Sequence, residues 1–521
     1  MKVLLSGFNL DIETINELKG FIQRVVDLLN ESSFSMLDEQ TRRKHLHSLY
    51  GEALTLLERD NLTPETLSAA YARISRNPKP VNELREIARQ EVDKARKSNQ
   101  NIIFGLGHSS VAEHAAFNFD VLGVSRYAVE MLEHFRLASY TEKSQRYILF
   151  KDDFVIPPEL QKTGLEEDYV RTIREQNQVY YTLYEQLRPY FFKKHADLAK
   201  DSKNDRLLEG LAKEDARYII SLATQTQLGM TVNARTLENI ISKCNSHPLS
   251  EIREYGRLLY ECTKSYTPSI VKYVKPTPYL TEKNKDITAF IQNNVTKKYT
   301  FEGEEEPTVR LVDYPADADE QILAIILFKQ VNIKLEQAKK LVTSLNPGQK
   351  LDFFKKIFNN MNPWDSVLRE FEFIYFTFEL IVSASNYGQL KRHRMANIIT
   401  QNYDPSLGVT IPNSIIETKQ DHTFRVMIEK TEFFYEKLHK QNPLISPYIL
   451  TNAHRRRVLF KINLRELYHF SRLREDQHAQ WDIRNIAFQM VKLVKNRLPL
   501  SAVLLSGKDV FDSTYKQFMK S

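Results

Sequence analysis

Residues 232–240 read VNARTLENI, and residues 462–470 read INLRELYHF. Each stretch places an apolar residue and an asparagine before an arginine-containing amphipathic run, so the pair indicates an internal repeat. Two further pairs follow the same order along the chain: LEHFRLAS at 132–139 matches LKRHRMAN at 390–397, and VIPPEL at 155–160 matches TIPNSI at 410–415. The chain is therefore predicted to contain two copies of one structural plan.

The two copies differ in length. The separation between matching residues is larger for Arg136 and Arg394 than for Asn233 and Asn463, so the second copy has a shorter middle segment. The charged stretch at about 160–210 is the expected extra material of the first copy. We predict a first repeat over 1–280, a linker over 281–306 and a second repeat over 307–521, which restarts as strand and helix with VRLVDYPADADEQILAII.

Local patterns indicate both helices and strands. Apolar residues alternate at Phe117, Phe119 and Val121, and again from Phe376 to Val382, as in half-buried strands. The N-terminal stretch is also interpreted as a short strand. Thr63-Pro64-Glu65 has the residue types that begin a helix, and the charged, periodic segment 81–98 is predicted to be helical.

Composition narrows the class of protein. The chain has 521 residues and only two cysteines, which excludes a disulfide framework and a four-cysteine zinc site. A net charge of +7, from 73 basic and 66 acidic residues, permits an anionic ligand, whereas nucleic acid is not an expected partner. The sequence shows neither a signal peptide nor a membrane-spanning run, so a cytoplasmic protein is expected.

Five segments together resemble the flavin-dependent thymidylate synthase family. The first copy carries GLGHSSVAEH at 105–114, HFRLASYTEKSQRY at 134–147 and ARYIISLATQTQLGMTVNAR at 216–235. The second copy carries QLKRHR at 389–394 and NLRELYHFSRLREDQHAQWDIR at 463–484. The resemblance covers most of the chain and implies an α+β fold, with helices around an antiparallel sheet, present twice.

Each copy departs from the family pattern in a different place. The first copy has His134-Phe135-Arg136 where Arg-His-Arg is expected, and Lys243 or Cys244 where an activating arginine is expected. The second copy reads MANIITQNYD after Arg394 and so lacks the Glu-x-Ser-x-Arg loop. In this family each active site lies between subunits, so the losses in the two copies are complementary. A pair made of one first repeat and one second repeat would form one complete active site and one inactive site.

The resemblance assigns roles to individual residues. Arg474 is the expected catalytic residue, which stabilises negative charge on the pyrimidine ring. The expected substrate-binding residues are Gln389, Arg392, Glu142, Ser144, Arg146 and Arg217. The expected cofactor-binding residues are His108, Ser110, Glu113, Arg392, His393, Arg394, Asn233, Arg235, Asn239, Asn463, Arg465 and His478. No metal site is expected, because the spacing of His108, Glu113 and His114 matches no strong zinc signature.

The chemistry of these residue types is consistent with those roles. A nucleotide monophosphate needs fixed donors, and the planar guanidinium fork of arginine matches phosphate oxygens. Neither cysteine lies in a recognisable nucleophile context. No GxGxxG or P-loop motif is present, so a Rossmann-type flavin site is not expected. The basic run at 454–457 is interpreted as a helix cap or a solvent-facing segment, with contact to phosphates or nucleic acid as the alternative.

The function implied by the resemblance is FAD-dependent methylation of dUMP to dTMP. Methylenetetrahydrofolate would supply the carbon and NADPH the electrons, and a homodimer would be equivalent to the family's tetramer. Three alternatives remain open at this stage: a non-catalytic paralogue that keeps a nucleotide or flavin pocket, a flavoenzyme that acts on another pyrimidine, and a basic scaffold without a small-molecule site.

Overall fold

A computed structural model of the chain describes residues 1–58, 60–146, 148–149, 152–295 and 307–521. By their internal contacts these residues form two compact units. The first unit comprises Met1–Ser144, Asp153–Lys162 and the described part of Ala223–Thr300. The second comprises Gln145–Asp152, Thr163–Leu222 and the described part of Phe301–Ser521. Two segments of the first sequence repeat therefore belong to the same unit as the second repeat.

The strands of the described residues form two four-stranded antiparallel sheets with the same strand order. The first unit holds the sheet β1-β2-β4-β3, built from β1 (Lys2–Phe8), β2 (Ala116–Ser125), β3 (Ala138–Glu142) and β4 (Gln225–Asn233). The second unit holds the sheet β5-β6-β8-β7, built from β5 (Val309–Asp313), β6 (Tyr375–Ser383), β7 (Asn397–Thr400) and β8 (Arg455–Asn463). The predicted fold class, two α+β domains with antiparallel sheets, is confirmed.

Helices surround both sheets. Before residue 307 they are α1 (Ile12–Asn30), α2 (Ser32–Met36), α3 (Glu39–Glu58), α4 (Glu65–Arg73), α5 (Val81–Gln90), α6 (Val92–Gln100), α7 (Arg126–Leu132), α8 (Glu166–Lys194), α9 (Asp205–Ala216), α10 (Ala234–Asn245), α11 (Ser250–Thr263) and α12 (Pro278–Asn294). In the second repeat they are α13 (Ala318–Gln330), α14 (Leu335–Ser344), α15 (Pro347–Ile357), α16 (Ala384–Leu390), α17 (Asn413–Glu417), α18 (Asp421–Gln441), α19 (Leu464–Arg474), α20 (Trp481–Lys495) and α21 (Phe511–Lys520). No helix of the described residues has the length and apolar character that crossing a bilayer requires.

The central strands follow the predicted alternation. Phe117, Phe119 and Val121 are buried on one face of β2, and residues 376, 378, 380 and 382 are buried on one face of β6. Successive side chains of a strand point to opposite faces, so an apolar residue at every second position makes one face that packs against helices. The N-terminal strand is confirmed as β1, and the expected restart of the second repeat is confirmed as β5 followed by α13.

Three other local predictions have different outcomes. Segment 81–98 is helical but divided, because Glu91 has φ −125° and ψ 60° and separates α5 from α6. The predicted linker 281–306 begins inside α12, while 296–306 lie outside the described residues. The repeat boundaries stay a prediction, since the two compact units follow contacts and not sequence similarity.

The interpretation of the basic run 454–457 is wrong. Residues 455–457 begin strand β8, and alternation along that strand turns Arg456 inward. Its guanidinium carbon lies 4.2 Å from the ring centre of Tyr403 and 5.0 Å from that of Tyr387. Its Nε and Nη2 donate to the carbonyl oxygen of Gln401. Arg456 is therefore a buried arginine that is stabilised by two aromatic rings and a backbone acceptor.

A second core of the second unit joins two long helices, one from each repeat. Helix α8 contributes Tyr180 and Leu183, and helix α18 contributes Phe424 and Met427, all fully or almost fully buried. Between the helices, Gln176 donates from Nε2 to Thr431 Oγ1 and to the carbonyl oxygen of Ile449, both at 2.9 Å. Apolar burial and the two hydrogen bonds that Gln176 donates thus hold the first-repeat helix within the second unit.

We expect Phe424→Ala to lower the free energy of unfolding by about 3–5 kcal/mol, because it leaves a cavity at a fully buried position of this core. The matched control is Phe433→Ala on the same helix, where the side chain is 75% exposed and the change should stay within about 0.5 kcal/mol. Denaturant midpoints measure both values. Equal midpoints for the two variants would contradict the assigned packing of α18.

Candidate active site

Two helix ends of the second unit position the candidate residues. Ser383, the last residue of β6, caps α16 by accepting a hydrogen bond from the Asn386 backbone N–H at 3.0 Å. Helix α16 ends at Leu390, so Gln389 and the Arg392–Arg394 segment lie at its C-terminus. Helix α19 ends at Arg474. The cap and the two helix ends set where the cationic side chains of this region lie.

Arg474 is held by neutral acceptors. Its Nη1 donates to Gln389 Oε1 at 3.3 Å, and its Nη2 donates to the Gln389 carbonyl oxygen at 3.4 Å. Its Nε donates to His393 Nε2 at 3.0 Å. These contacts fix the plane of the guanidinium group without neutralising its charge.

His393 is buried, and burial lowers the pKa of its ring. Because Nε2 accepts from Arg474, the neutral ring carries its proton on Nδ1, which lies 3.4 Å from Glu466 Oε1. Both ring nitrogens are therefore engaged by protein groups. In this arrangement His393 orients Arg474 through a chain that begins at Glu466.

Two more arginines lie close enough to Arg474 to affect its charge. Burial, together with the positive charges of Arg392 and Arg146, lowers the pKa of Arg474 to about 10. Arg146 comes from the first repeat, whereas Arg392 and Arg474 come from the second. The second unit thus places the guanidinium groups of Arg146 and Arg392 within electrostatic range of Arg474, and such a cluster favours an anionic ligand.

Glu214 connects Arg146 to Arg217. Arg146 Nε forms an ion pair with the Glu214 carboxylate, and Arg217 Nε donates to the Glu214 carbonyl oxygen at 3.2 Å. Arg217 Nη2 also donates to Ser385 Oγ, on helix α16, at 2.9 Å. Arg217 is buried, so these contacts bring the first-repeat pair next to the helix that carries Gln389.

A buried network supports the backbone on either side of Arg217. Trp481 Nε1 donates to Asp215 Oδ1 at 2.8 Å, and Ser414 Oγ donates to Asp215 Oδ2 at 2.5 Å. Tyr218 donates from its hydroxyl to Asp482 at 3.0 Å and stacks on the indole ring of Trp481. Side chains from both repeats therefore satisfy one another's hydrogen-bonding groups in a region that excludes water.

Sequence reasoning did not single out Glu214, Ser385, Glu466 or Asp215. Glu214 precedes Arg217 by three residues, and Ser385 precedes Gln389 by four, so each lies one helical turn from a residue that was predicted. Helical spacing from a predicted arginine or glutamine is the signal that would have found these two.

The remaining second-unit candidates lie away from the arginine cluster or face solvent. Asn463 caps α19 by accepting from the Glu466 backbone N–H at 2.8 Å, and Arg465 Nη1 pairs with Glu372 at 2.6 Å. Along the helix axis, Asn463 is about 16 Å and Arg465 about 14 Å from Arg474. Arg394 is exposed, and so is the His478 side chain, whose Nδ1 lies 2.8 Å from Asp476 Oδ1.

The other candidates belong to the first unit. Glu142 ends β3 and pairs with the buried Arg126, and Ser144 follows two residues later. Arg235 Nη1 lies 2.5 Å from Glu113 Oε1, and Asn233 caps α10 by accepting from a backbone N–H at 2.8 Å. Three further side chains are exposed: His108, Ser110 and Asn239.

Comparison with known proteins agrees with this architecture. A family model described as "Thymidylate synthase complementing protein" matches residues 55–269 and 310–500, and the chain belongs to this family as a tandem duplicate. The flavin-dependent thymidylate synthase of Clostridium tetani is 30% identical over 217 residues, which are 41% of this chain and 83% of that protein. A UPF0159 protein of Thermoplasma acidophilum is 22% identical over 487 residues, which are 85% of this chain and 95% of that protein.

A solved structure is also similar. The flavin-dependent thymidylate synthase of Helicobacter pylori, complexed with FAD and dUMP, matches 41% of this chain and 96% of its own, at 18% identity and a TM-score of 0.30.

We expect Asp215 to make stability depend on pH. Burial raises its pKa from 3.8 to about 6, so the folded state binds the proton more tightly than the unfolded state. Its contribution to stability is therefore complete below pH 3.8 and is lost as the pH rises through about 6. The unfolding free energy of the wild type, minus that of Asp215→Asn, should fall by on the order of 3 kcal/mol between about pH 4 and pH 8.

Denaturant titrations at several pH values measure this difference. The control is Asp512→Asn at an exposed position of α21. If the difference for Asp215→Asn were as flat with pH as the control, burial of the Asp215 carboxylate in the folded state would be wrong.

Proposed function

We propose that this chain converts dUMP to dTMP at one composite site in its second unit, with FAD as cofactor. Methylenetetrahydrofolate would donate the carbon and NADPH the electrons, and two chains would form a homodimer. The observation that carries the proposal is that Arg146, from the first repeat, and Arg392, from the second, lie close enough to the partly buried Arg474 for burial and their charges together to lower its pKa.

The charge of the ligand explains why three cations are tolerated together. Clustered guanidinium groups repel one another, and burial removes the water that would screen them. A nucleotide monophosphate carries nearly two negative charges and relieves that repulsion when it binds. Arg146 and Arg217, linked through Glu214, would hold the phosphate with the planar forks that suit its oxygens.

Arg474 would act on the pyrimidine ring. Its guanidinium is oriented by Gln389 and His393 and has no need to reorganise when negative charge develops on the ring. Cysteine attack is disfavoured, because burial raises the pKa of Cys244 to about 12 and that of Cys262 to about 11. Both side chains are therefore neutral thiols near pH 7 and poor nucleophiles.

The residues present are consistent with an anionic flavin cofactor. Arg392 is half-buried beside the cluster, and Arg394 is exposed two residues later, so both are candidates to hold the diphosphate of FAD. The neutral His393 would support them by fixing Arg474. When bound, FAD would supply the redox chemistry that no side chain of this site provides.

We infer one live site per chain, and the registers of the two sheets support this inference. Glu142 pairs with Leu228 in the first sheet, and Thr400 pairs with Val458 at the corresponding place in the second. Continuing that alignment places Asp404 where the first repeat has Arg146, and the sequence places Pro447 where it has Arg217. The second repeat therefore lacks the two phosphate-binding arginines.

We expect two variants in different repeats to fail for different reasons. Arg474→Ala should lower kcat by about 10²–10³, because it removes the charge that stabilises the ring anion. Arg146→Ala should mainly weaken dUMP binding, by about 10–100-fold, because it removes a charge-assisted contact to phosphate. Tritium release from C5-labelled dUMP and calorimetric dUMP titration separate the two effects.

The matched control is Arg188→Ala, which removes a half-exposed arginine that pairs with Glu209 on the surface of the same unit. Full activity of Arg474→Ala would overturn the proposal that the second repeat supplies the catalytic arginine of the site. An active-site flavin with no tritium release by the wild type, in the presence of all substrates, would instead favour a non-catalytic paralogue.

Because the three arginines lie in one unit of one chain, we expect no complementation between inactive variants. A mixture of Arg146→Ala and Arg474→Ala chains, co-expressed or refolded together, should release no more tritium than either variant alone. Recovery of about a quarter or more of wild-type activity in the mixture would show that the arginines of a site come from different chains. Wild-type chains mixed with either variant provide the control for assembly.

A further inference from the structure

The first unit carries two long N-terminal helices that pack as a hairpin. Helix α1 (Ile12–Asn30) and helix α3 (Glu39–Glu58) are joined by residues 31–38, which include the short helix α2. A connection of this length does not reach back along a helix of 20 residues, which is about 30 Å long, so α1 and α3 are antiparallel. We call the pair the N-terminal hairpin. Nearly all of it precedes residue 55, where the family match begins.

The hairpin leaves its own core half open. Among the described residues of α1 and α3, only Thr14 is fully buried. The apolar residues along which the two helices face each other are half-buried: Ile15, Leu18, Phe21, Val25, Leu28, Leu49, Ala53 and Leu56. An amphipathic helix gains most of its stability by packing its apolar face, and two helices alone do not enclose that face.

A second row of apolar side chains on each helix is exposed. Its members are between 37% and 65% exposed: Ile22, Val26 and Leu29 on α1, and Leu46, Tyr50, Leu54 and Leu57 on α3. All but Leu46 follow a half-buried apolar residue by one position, which is a rotation of about 100° around the helix axis. In antiparallel helices that rotation turns both rows toward the same side of the hairpin. The seven residues therefore form one surface, which we call the apolar face.

Charged residues agree with this arrangement. Arg24 and Glu52 precede Val26 and Leu54 by two positions, a rotation of about 200°, and form an ion pair that joins the helices on the opposite side of the hairpin. Asp27 follows Val26 by one position and so lies beyond the edge of the face. The apolar face is therefore uninterrupted by Asp, Glu, Lys or Arg over the length of both rows.

The apolar face is large for a protein that works as a monomer. Seven side chains that are about half exposed present on the order of 600 Å² of apolar surface, the upper end of what monomeric proteins leave open. A stable dimer needs about 800 Å² on each partner, part of which is a polar rim. The exposed Lys19 and Arg43 border the face and belong to such a rim. The area is therefore that of one half of a dimer interface.

We infer that the apolar face packs against the same face of a second copy of this chain, so that two N-terminal hairpins form a four-helix bundle around a twofold axis. A twofold axis brings identical surfaces together, so each apolar row meets an apolar row. The bundle also encloses the half-buried residues of each hairpin and supplies the core that two helices lack. An uncharged face gives a partner of opposite charge nothing to recognise. The contact does not depend on the proposed thymidylate synthesis.

The test measures the particle mass of the full-length chain by sedimentation equilibrium. Tyr50→Glu and Ile22→Glu each place a carboxylate on the apolar face, one from each helix, and both positions are exposed, so the fold of the chain is spared. We expect each variant to raise the dissociation constant of the hairpin contact by about 100-fold or more and to halve the particle mass. Tyr50→Phe keeps the apolar contact and should keep the wild-type mass.

The matched control is Ser48→Glu, which adds the same charge to α3 on the side opposite Tyr50 and should keep the wild-type mass. The mass halves from either a dimer or a tetramer, so a further contact between chains elsewhere does not mask the effect. Wild-type mass in both Tyr50→Glu and Ile22→Glu would overturn the proposal, and so would a monomeric wild type.

Hydrogen exchange checks both the fold of the variants and the place of the contact. In Tyr50→Glu the amides of α1, the helix that is not mutated, should exchange faster than in Ser48→Glu, whereas those of β2 and β6 should exchange equally. Ile22→Glu gives the same comparison for the amides of α3. Equal exchange of the unmutated helix in variant and control would contradict the proposal. Loss of thymidylate synthesis would leave both measurements unchanged, because the apolar face belongs to the first unit and the proposed site to the second.

Discussion

The guanidinium of Arg474 is held in place by neutral acceptors within electrostatic range of two other positive charges, and the candidate site depends on this constraint. Gln389 and His393 fix its plane, while Arg392 and Arg146 keep the surroundings electropositive. A carboxylate in direct contact would have neutralised it and cancelled the attraction for an anion. The carboxylates of this region instead contact the neighbours of Arg474: Glu466 orients His393, and Glu214 holds Arg146.

Duplication changes how such a site is built. The two sheets have the same strand order, so the scaffold is conserved within the chain, whereas the loops and helix ends have diverged. Equivalent segments of the two repeats also pair directly: the Leu222 N–H donates to the Leu450 carbonyl oxygen at 2.8 Å, and the Asn452 N–H donates to that of Ile220 at 2.9 Å. This pairing, together with the α8–α18 core, brings first-repeat residues into the second unit, where a single chain holds arginines from both copies.

Local patterns predicted the scaffold well and the site in part. Alternating apolar residues identified β2 and β6, because a half-buried strand needs one apolar face. The motifs identified Arg146, Arg392 and Arg474 one by one. The same patterns missed the division of segment 81–98 at Glu91 and the burial of Arg456 between two tyrosine rings. The backbone dihedrals of a single residue and the contacts between distant segments produce no periodic pattern in the sequence, so pattern reading does not predict them.

By itself, the sequence determined that the chain is a tandem duplicate, which motifs each copy retained and which residues carry charge, because these are properties of residue identity and spacing. Only the tertiary structure decided that Glu214 joins Arg146 to Arg217, that His393 faces Arg474, and that Arg456 is buried between two tyrosine rings. Those facts depend on how helices and strands pack, and packing is set by the sum of many weak contacts between residues far apart in the chain.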